Sequence, residues 1–118
     1  MNPLKKVVQG MRALLATPEK WTQGVEARDA EGRPADPLMR THNATCFCLV
    51  GAYVRVLNDV YNSADPVARS ALWTSDGLGT FKKFLPDGFE ALSFFNDAPT
   101  TTHADILAFL DRVEKELP

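Results

Sequence analysis

Cysteine and histidine are scarce: the chain of 118 residues holds two of each, Cys46, Cys48, His42 and His103. Cysteines two positions apart would close a loop too small for ordinary disulfide geometry. The chain therefore lacks the framework of a disulfide-stapled secreted domain and reads as a protein of a reducing cytoplasm. A metal site is not expected, because Cys-x-Cys with a histidine four residues upstream is not a common zinc-ligand spacing. Long apolar runs are missing as well. No stretch approaches the roughly 20 residues that a membrane span requires, and Gln9 and Arg12 interrupt the apolar residues after Lys5 and Lys6, which excludes a signal-peptide core. Nor is there an excess of charge of one sign: 13 Lys and Arg against 15 Asp and Glu give a net charge of −2, too little to draw the chain to a nucleic-acid backbone. Gly77-Leu78-Gly79 lacks the later glycine of a phosphate-binding loop. A Ser-centred nucleophile elbow and a Glu/Asp-x-x-His array for a di-metal site are also absent, and no cofactor is expected.

What is present is a helical pattern. With 45% hydrophobic and 24% charged residues, the composition is that of one compact core, and residues 1–118 are expected to form a single helical domain. Asn2 can cap a helix with Pro3 in its first turn, and Leu4, Val7, Val8, Met11, Leu14 and Leu15 supply an amphipathic stripe over residues 3–16. Thr17-Pro18-Glu19 allows a short helical turn before Trp21. The pattern then lapses from Gln23 to Pro37, where the turn Asp29-Ala30-Glu31-Gly32 between residues 25–28 and 33–35 predicts a short hairpin, with Pro34 barring it from the centre of a sheet. The longest helix is expected over residues 44–61, apolar on most of its circumference, with the small residues Ala44, Cys48 and Ala52 on a remaining strip where another segment crosses close by. Asp65-Pro66 starts a further helix. Two short ones are expected over 78–85 and 89–95, separated by the turn residues Pro86-Asp87-Gly88. A loop follows over 96–101, and Thr102 with Asp105 forms a capping box for the last helix. The fold class predicted is mainly α, five to six helices around a central buried helix, with an irregular or hairpin segment after the first.

Three stretches carry a resemblance. Trp21-Thr22-Gln23-Gly24 with Ala27-Arg28-Asp29 and Gly32, then Phe47-Cys48-Leu49-Val50-Gly51-Ala52, then Phe95-Asn96-Asp97 leading into Thr102-His103-Ala104-Asp105-Ile106, occur in this order. Together the chain resembles a family of small bacterial and phage proteins catalogued only as a domain of unknown function. That family usually has Trp where this chain has Phe95, and Cys46 lies outside its pattern. The resemblance implies a bacterial or phage cytosolic protein and brings no established activity.

Two classes of function can be built on these residues. The favoured one is a small cytosolic non-catalytic binding or interaction module. Its site would collect Trp21, Gln23, Arg28, Asp29, Asn96, Asp97 and His103, an aromatic face, a guanidinium and carboxylates on irregular backbone. Its partner would be a protein or a small polar ligand, with no nucleic acid and no membrane; the sequence leaves a homo-oligomer open. In the purely packing version of this cluster, Trp21 plugs the core and Arg28 pairs with Asp29, Asp97 or Asp59. The rival class is a Cys/His-dependent hydrolase or transferase, with Cys48 or Cys46 as nucleophile, His103 as base and Asn96 as orienter, since a cysteine in the first turn of a helix is more readily ionised. Only the rival requires a cysteine sulfur within hydrogen-bond reach of His103.

Overall fold

In the computed structural model, which describes residues 2–61 and 77–118, the first helix, α1, is Pro3–Leu14. The Asn2 side chain accepts from the Leu4 N–H at 2.9 Å, and Pro3 sits in the first turn, where its missing N–H costs nothing. Leu4, Val7, Val8 and Met11 form its buried stripe, continued by Leu15. A single 3-10 turn, Pro18–Lys20, follows where Thr17-Pro18-Glu19 predicts one.

The next stretch holds a two-stranded antiparallel pair, β1 (Ala27–Arg28) and β2 (Cys46–Phe47), with Ala27 opposite Phe47 and Arg28 opposite Cys46. The expected hairpin turn forms: the Asp29 carbonyl accepts from Gly32, and the Asp29 N–H donates to the Arg33 carbonyl. Its second arm is reduced to one bridge between Arg28 and Pro34. The main partner of β1 is β2, and Trp21 bridges Phe47 on the far side of β2.

That pairing corrects the expected start of the central helix. Helix α2 is Leu49–Tyr61 rather than 44–61, because the Thr45 and Cys48 N–H groups donate to the Arg28 and Glu26 carbonyls at 2.8 and 3.0 Å. Long-range backbone partners override a helical reading of a short apolar run that shows no clear period. A close crossing does occur, at Gly51, beside the predicted strip of Ala44, Cys48 and Ala52. Cys48, Gly51 and Ala52 are buried, and a Cβ placed on Gly51 would lie 2.0 Å from the Glu26 carbonyl oxygen.

The helix expected from Asp65-Pro66 lies outside the described residues. Helix α3, Gly77–Lys82, and helix α4, Leu92–Asp97, correspond to the two short helices on either side of the Pro86-Asp87-Gly88 turn. The second starts later than expected and runs on through Asn96 and Asp97, so these two residues are helical and not part of a loop. Helix α5, His103–Glu116, begins with the expected capping box: Thr102 accepts from the Asp105 N–H and Asp105 accepts from the Thr102 N–H. Its buried face is Ile106, Phe109, Leu110 and Val113.

The described residues are mainly helical around one core in which α1 packs against both α2 and α5. A chain of rings crosses that core, Tyr53 to Phe81 at 5.5 Å, Phe81 to Phe109 at 6.2 Å, and Phe109 to Phe95 at 5.3 Å, joining all of α2 to α5. Burial pushes the Tyr53 phenol up to about 12, so it stays neutral. At the surface, Arg12 bridges to Asp111 and Glu114, and Gln9 donates to Glu114. Gln9 and then Arg12 hold the Glu114 carboxyl below its usual range. This small surface contribution is therefore present above the ordinary glutamate value and is lost as pH falls. Among the described residues, no helix is long and apolar enough to cross a membrane.

Candidate functional site

The site is organised by one buried amide. On the short helix α4, positions 92, 95 and 96 share a face, and Leu92, Phe95 and Asn96 are all buried there, Asn96 with 0% exposure. An asparagine in that position must find partners within the protein. Its Oδ1 accepts from the Trp21 indole N–H at 2.8 Å and from the Leu49 N–H at 3.0 Å. Its Nδ2 donates to the Thr22 carbonyl at 3.1 Å and to Asp97 Oδ1 at 2.8 Å. These bonds use the full capacity of the amide. The Leu49 N–H is one of the unpaired donors at the start of α2, so Asn96 caps a helix that lies far away in sequence.

Around the amide the irregular stretch after Trp21 and the C-terminal end of α4 lock together into a clasp. Gln23 donates to the Asn96 and Ala98 carbonyls at 2.9 and 3.1 Å, and the Gly24 N–H donates to Asp97 Oδ1 at 2.9 Å. Gly24 has φ of +86°, a conformation that favours glycine. His103, the first residue of α5, lies 2.6 Å through Nε2 from the Leu15 carbonyl, which makes Nε2 the protonated nitrogen. Its ring sits 6.2 Å from that of Trp21. Trp21, Gln23, Asn96, Asp97 and His103 thus come together as the sequence predicts.

Arg28 joins them indirectly. Its guanidinium donates to Thr22 Oγ1, the Gln23 carbonyl and the Gly32 carbonyl, neutral oxygens in place of the carboxylates considered from sequence. Asp29 does not join. Its Oδ1 accepts from the Glu31 and Arg33 N–H groups and its Oδ2 from the Arg33 side chain. With the Arg33 main-chain N–H as the largest influence, these donors hold its carboxyl below the usual aspartate range. Asp29 lines a separate polar cleft with Arg33 and His42.

The Cys/His arrangement is not assembled among the described residues. Cys48 is at the mouth of α2, where its sulfur accepts from the Gly51 N–H at 3.3 Å. Cys46 Sγ lies 3.9 Å from the Arg28 carbonyl, and His103 is engaged by Leu15. The helix start does not activate the thiol either: burial pushes Cys48 up, against the smaller opposing effect of the Gly51 and Val50 N–H groups. Iodoacetamide at neutral pH should accordingly label the partly exposed Cys46 well before Cys48, as read by peptide mass spectrometry under native conditions. Faster labelling of Cys48 would show that its thiolate is accessible.

Sequence reasoning missed Leu15, which contributes a main-chain carbonyl and so leaves no side-chain signal, and Thr22, which takes part through its main-chain carbonyl and its Oγ1. It also missed a cleft between α4 and α5 near Arg112, although Phe109 and Arg112, three apart on one helix, are a legible aromatic and cation pair.

The model of a family of unknown function, DUF6197, matches residues 1–116, and the chain belongs to that family. Neither the curated proteins nor the solved structures compared with the chain match it.

Proposed function

We propose that this protein is a small non-catalytic binding module of a bacterial or phage cytosol, folded over 1–118 as a single domain, with the outer rim of the clasp as its recognition surface. The observation that supports this reading is the Trp21 and His103 ring pair. Both rings are partly exposed, and each is held by a hydrogen bond, Trp21 to Asn96 and His103 to Leu15. Arg28 and Asp97 are anchored to the same stretch, residues 22–24. An aromatic surface fixed before binding loses little entropy when a partner arrives, which favours it as an anchor for a protein or a small polar ligand. The unpaired Cys46 and Cys48 suit a reducing compartment.

The test immobilises wild type and the Arg28→Ala and His103→Ala variants, compares what each captures from a native lysate, and titrates the purified partner against each by calorimetry. Binding should weaken by about tenfold or more in both variants, with folding stability within about 1 kcal/mol of wild type. Unchanged titrations, or variants that unfold, would make the cluster a structural clasp and overturn the proposal.

A further inference from the structure

Away from the clasp, the chain closes a loop on itself. Residues 36–42 leave the bridge at Pro34 and end in a 3-10 turn, Arg40–His42, before β2. Local bonds shape this loop: Asp36 Oδ1 accepts from the Leu38 N–H at 2.8 Å, the Asp36 carbonyl from the Met39 N–H at 3.2 Å, and the Met39 carbonyl from the His42 N–H at 2.9 Å. A further bond joins its two ends, since the Asp36 N–H donates to Nδ1 of His42 at 3.0 Å. The flanks are anchored separately. The Ala35 N–H donates to the Ala27 carbonyl, the carbonyl of the buried Pro37 accepts from Arg55 of α2, and the Thr45 N–H donates to the Arg28 carbonyl. The His42 ring thus ties the end of the loop to its start.

A main-chain N–H can only donate, so this bond exists only while Nδ1 keeps its lone pair and the ring is neutral. Protonation sets an N–H on Nδ1 against the N–H of Asp36, two donors with no acceptor between them. Histidine changes charge between about pH 8 and pH 5, and both His42 and Asp36 are exposed, so water can take over either group when the bond parts. The charges near the ring assist the opening. Asp29, Glu31 and Arg33 line a polar cleft of about 300 Å³ together with His42, and Arg33 is already paired with both carboxylates, at 2.9 and 3.4 Å. Asp36 and Arg40 belong to the loop itself, and Arg55 on α2 is paired with Asp59 at 3.2 Å. Within the cleft two carboxylates face one guanidinium, which favours an imidazolium that has turned away from the Asp36 N–H.

We propose that His42 is a pH-operated latch on the loop of residues 36–42, closed by the neutral ring and opened when the ring takes a proton. Only the neutral ring accepts from Asp36, so closure is complete on the alkaline side of the histidine range and is lost as pH falls through it. Opening loosens the turn that carries Leu38 and Met39, which are 39% and 49% exposed, and so changes the apolar surface on this side of the protein. The latch is separate from the clasp, and the proposal does not depend on the function assigned to that region.

The ¹⁵N-labelled full-length protein is titrated from about pH 8 to pH 5, following the amides of Asp36, Leu38, Met39 and His42 and the ring nitrogens of His42. At the alkaline end the ring should carry its proton on Nε2, and the Asp36 amide should lose its hydrogen-bonded shift with the same midpoint as the ring. His42→Asn places a side-chain oxygen close to the position of Nδ1, an acceptor that does not titrate, and should keep the alkaline spectrum of the loop throughout. His42→Ala should show the acid spectrum at every pH, and its Asp36 amide should exchange with solvent about fivefold faster or more than that of His42→Asn at one pH. His103 is present in all three proteins, so its own titration cancels. The same spectra report whether each variant is folded. An Asp36 amide in wild type that does not follow the ring, a loop titration that persists undiminished in His42→Asn, or an alkaline loop spectrum in His42→Ala would each overturn the proposal.

Discussion

Replacing Asn96 with alanine should cost roughly 3–5 kcal/mol of folding stability, measured by denaturant unfolding, against a total of about 5–15 kcal/mol for a domain of ordinary stability. The size of the effect follows from what the amide leaves behind. The Trp21 indole N–H, the Leu49 N–H and the Thr22 carbonyl would lose a partner at a site where Asn96 itself is 0% exposed. A buried polar group without a partner costs roughly 1–3 kcal/mol. Asn96→Asp separates the contributions, because it keeps the acceptors but loses the donor to Thr22 and sets a second carboxylate against Asp97. A loss below about 1 kcal/mol for Asn96→Ala would mean that its partners reach water and that the clasp adds little to stability.

Gly51→Ala should also destabilise, by roughly 2–4 kcal/mol, although alanine is favoured over glycine in a helix by about 1 kcal/mol. The added Cβ would stand 2.0 Å from the Glu26 carbonyl oxygen and 2.8 Å from its carbon. Both atoms are backbone, and the same oxygen accepts from the Cys48 N–H at 3.0 Å, so the strand cannot withdraw without breaking that bond. Gly10→Ala is the control. There the new methyl would meet Val56 Cγ1 at 2.5 Å, a methyl of a stiff, buried side chain rather than backbone, so the helices must shift slightly, and with the gain in helix propensity the net loss should be smaller than at Gly51, about 1–2 kcal/mol. If Gly51→Ala melts at or above wild type, the crossing of residue 26 over α2 is looser than the structure shows.

The clasp was legible in part. Trp21, Gln23 and Asn96 are brought together by the resemblance, which keeps their two stretches in one pattern, and Gln23 bonds across as expected. Neither spacing nor composition indicates that Asn96 would be helical, because Asn-Asp before Ala-Pro has the chemistry of a loop. Its burial is decided by Leu92 and Phe95, whose shared face carries residue 96 inward with them. Asp29 has side-chain chemistry as suitable as that of Asp97, yet the local turn with Arg33 occupies both of its oxygens. Residue type says which groups can bind; the backbone route says which are already committed.

By itself the sequence determined the elements whose signals lie within four residues of one another: α1 with its Asn2 cap and Pro3, the Pro18–Lys20 turn, the Asp29 to Gly32 turn, and α5 with its Thr102 and Asp105 box. It also pointed to a close crossing at the strip of Ala44, Cys48 and Ala52, beside Gly51, where the approach is found. Only the tertiary structure decided where α2 begins, that β1 pairs with β2, that the Cys48 thiol is pushed up by burial, and that Asn96 caps α2 from 47 residues away. The division has one physical reason. Helix caps and turns are satisfied by the chain's own nearest groups, whereas a buried donor or acceptor takes the partner that folding delivers.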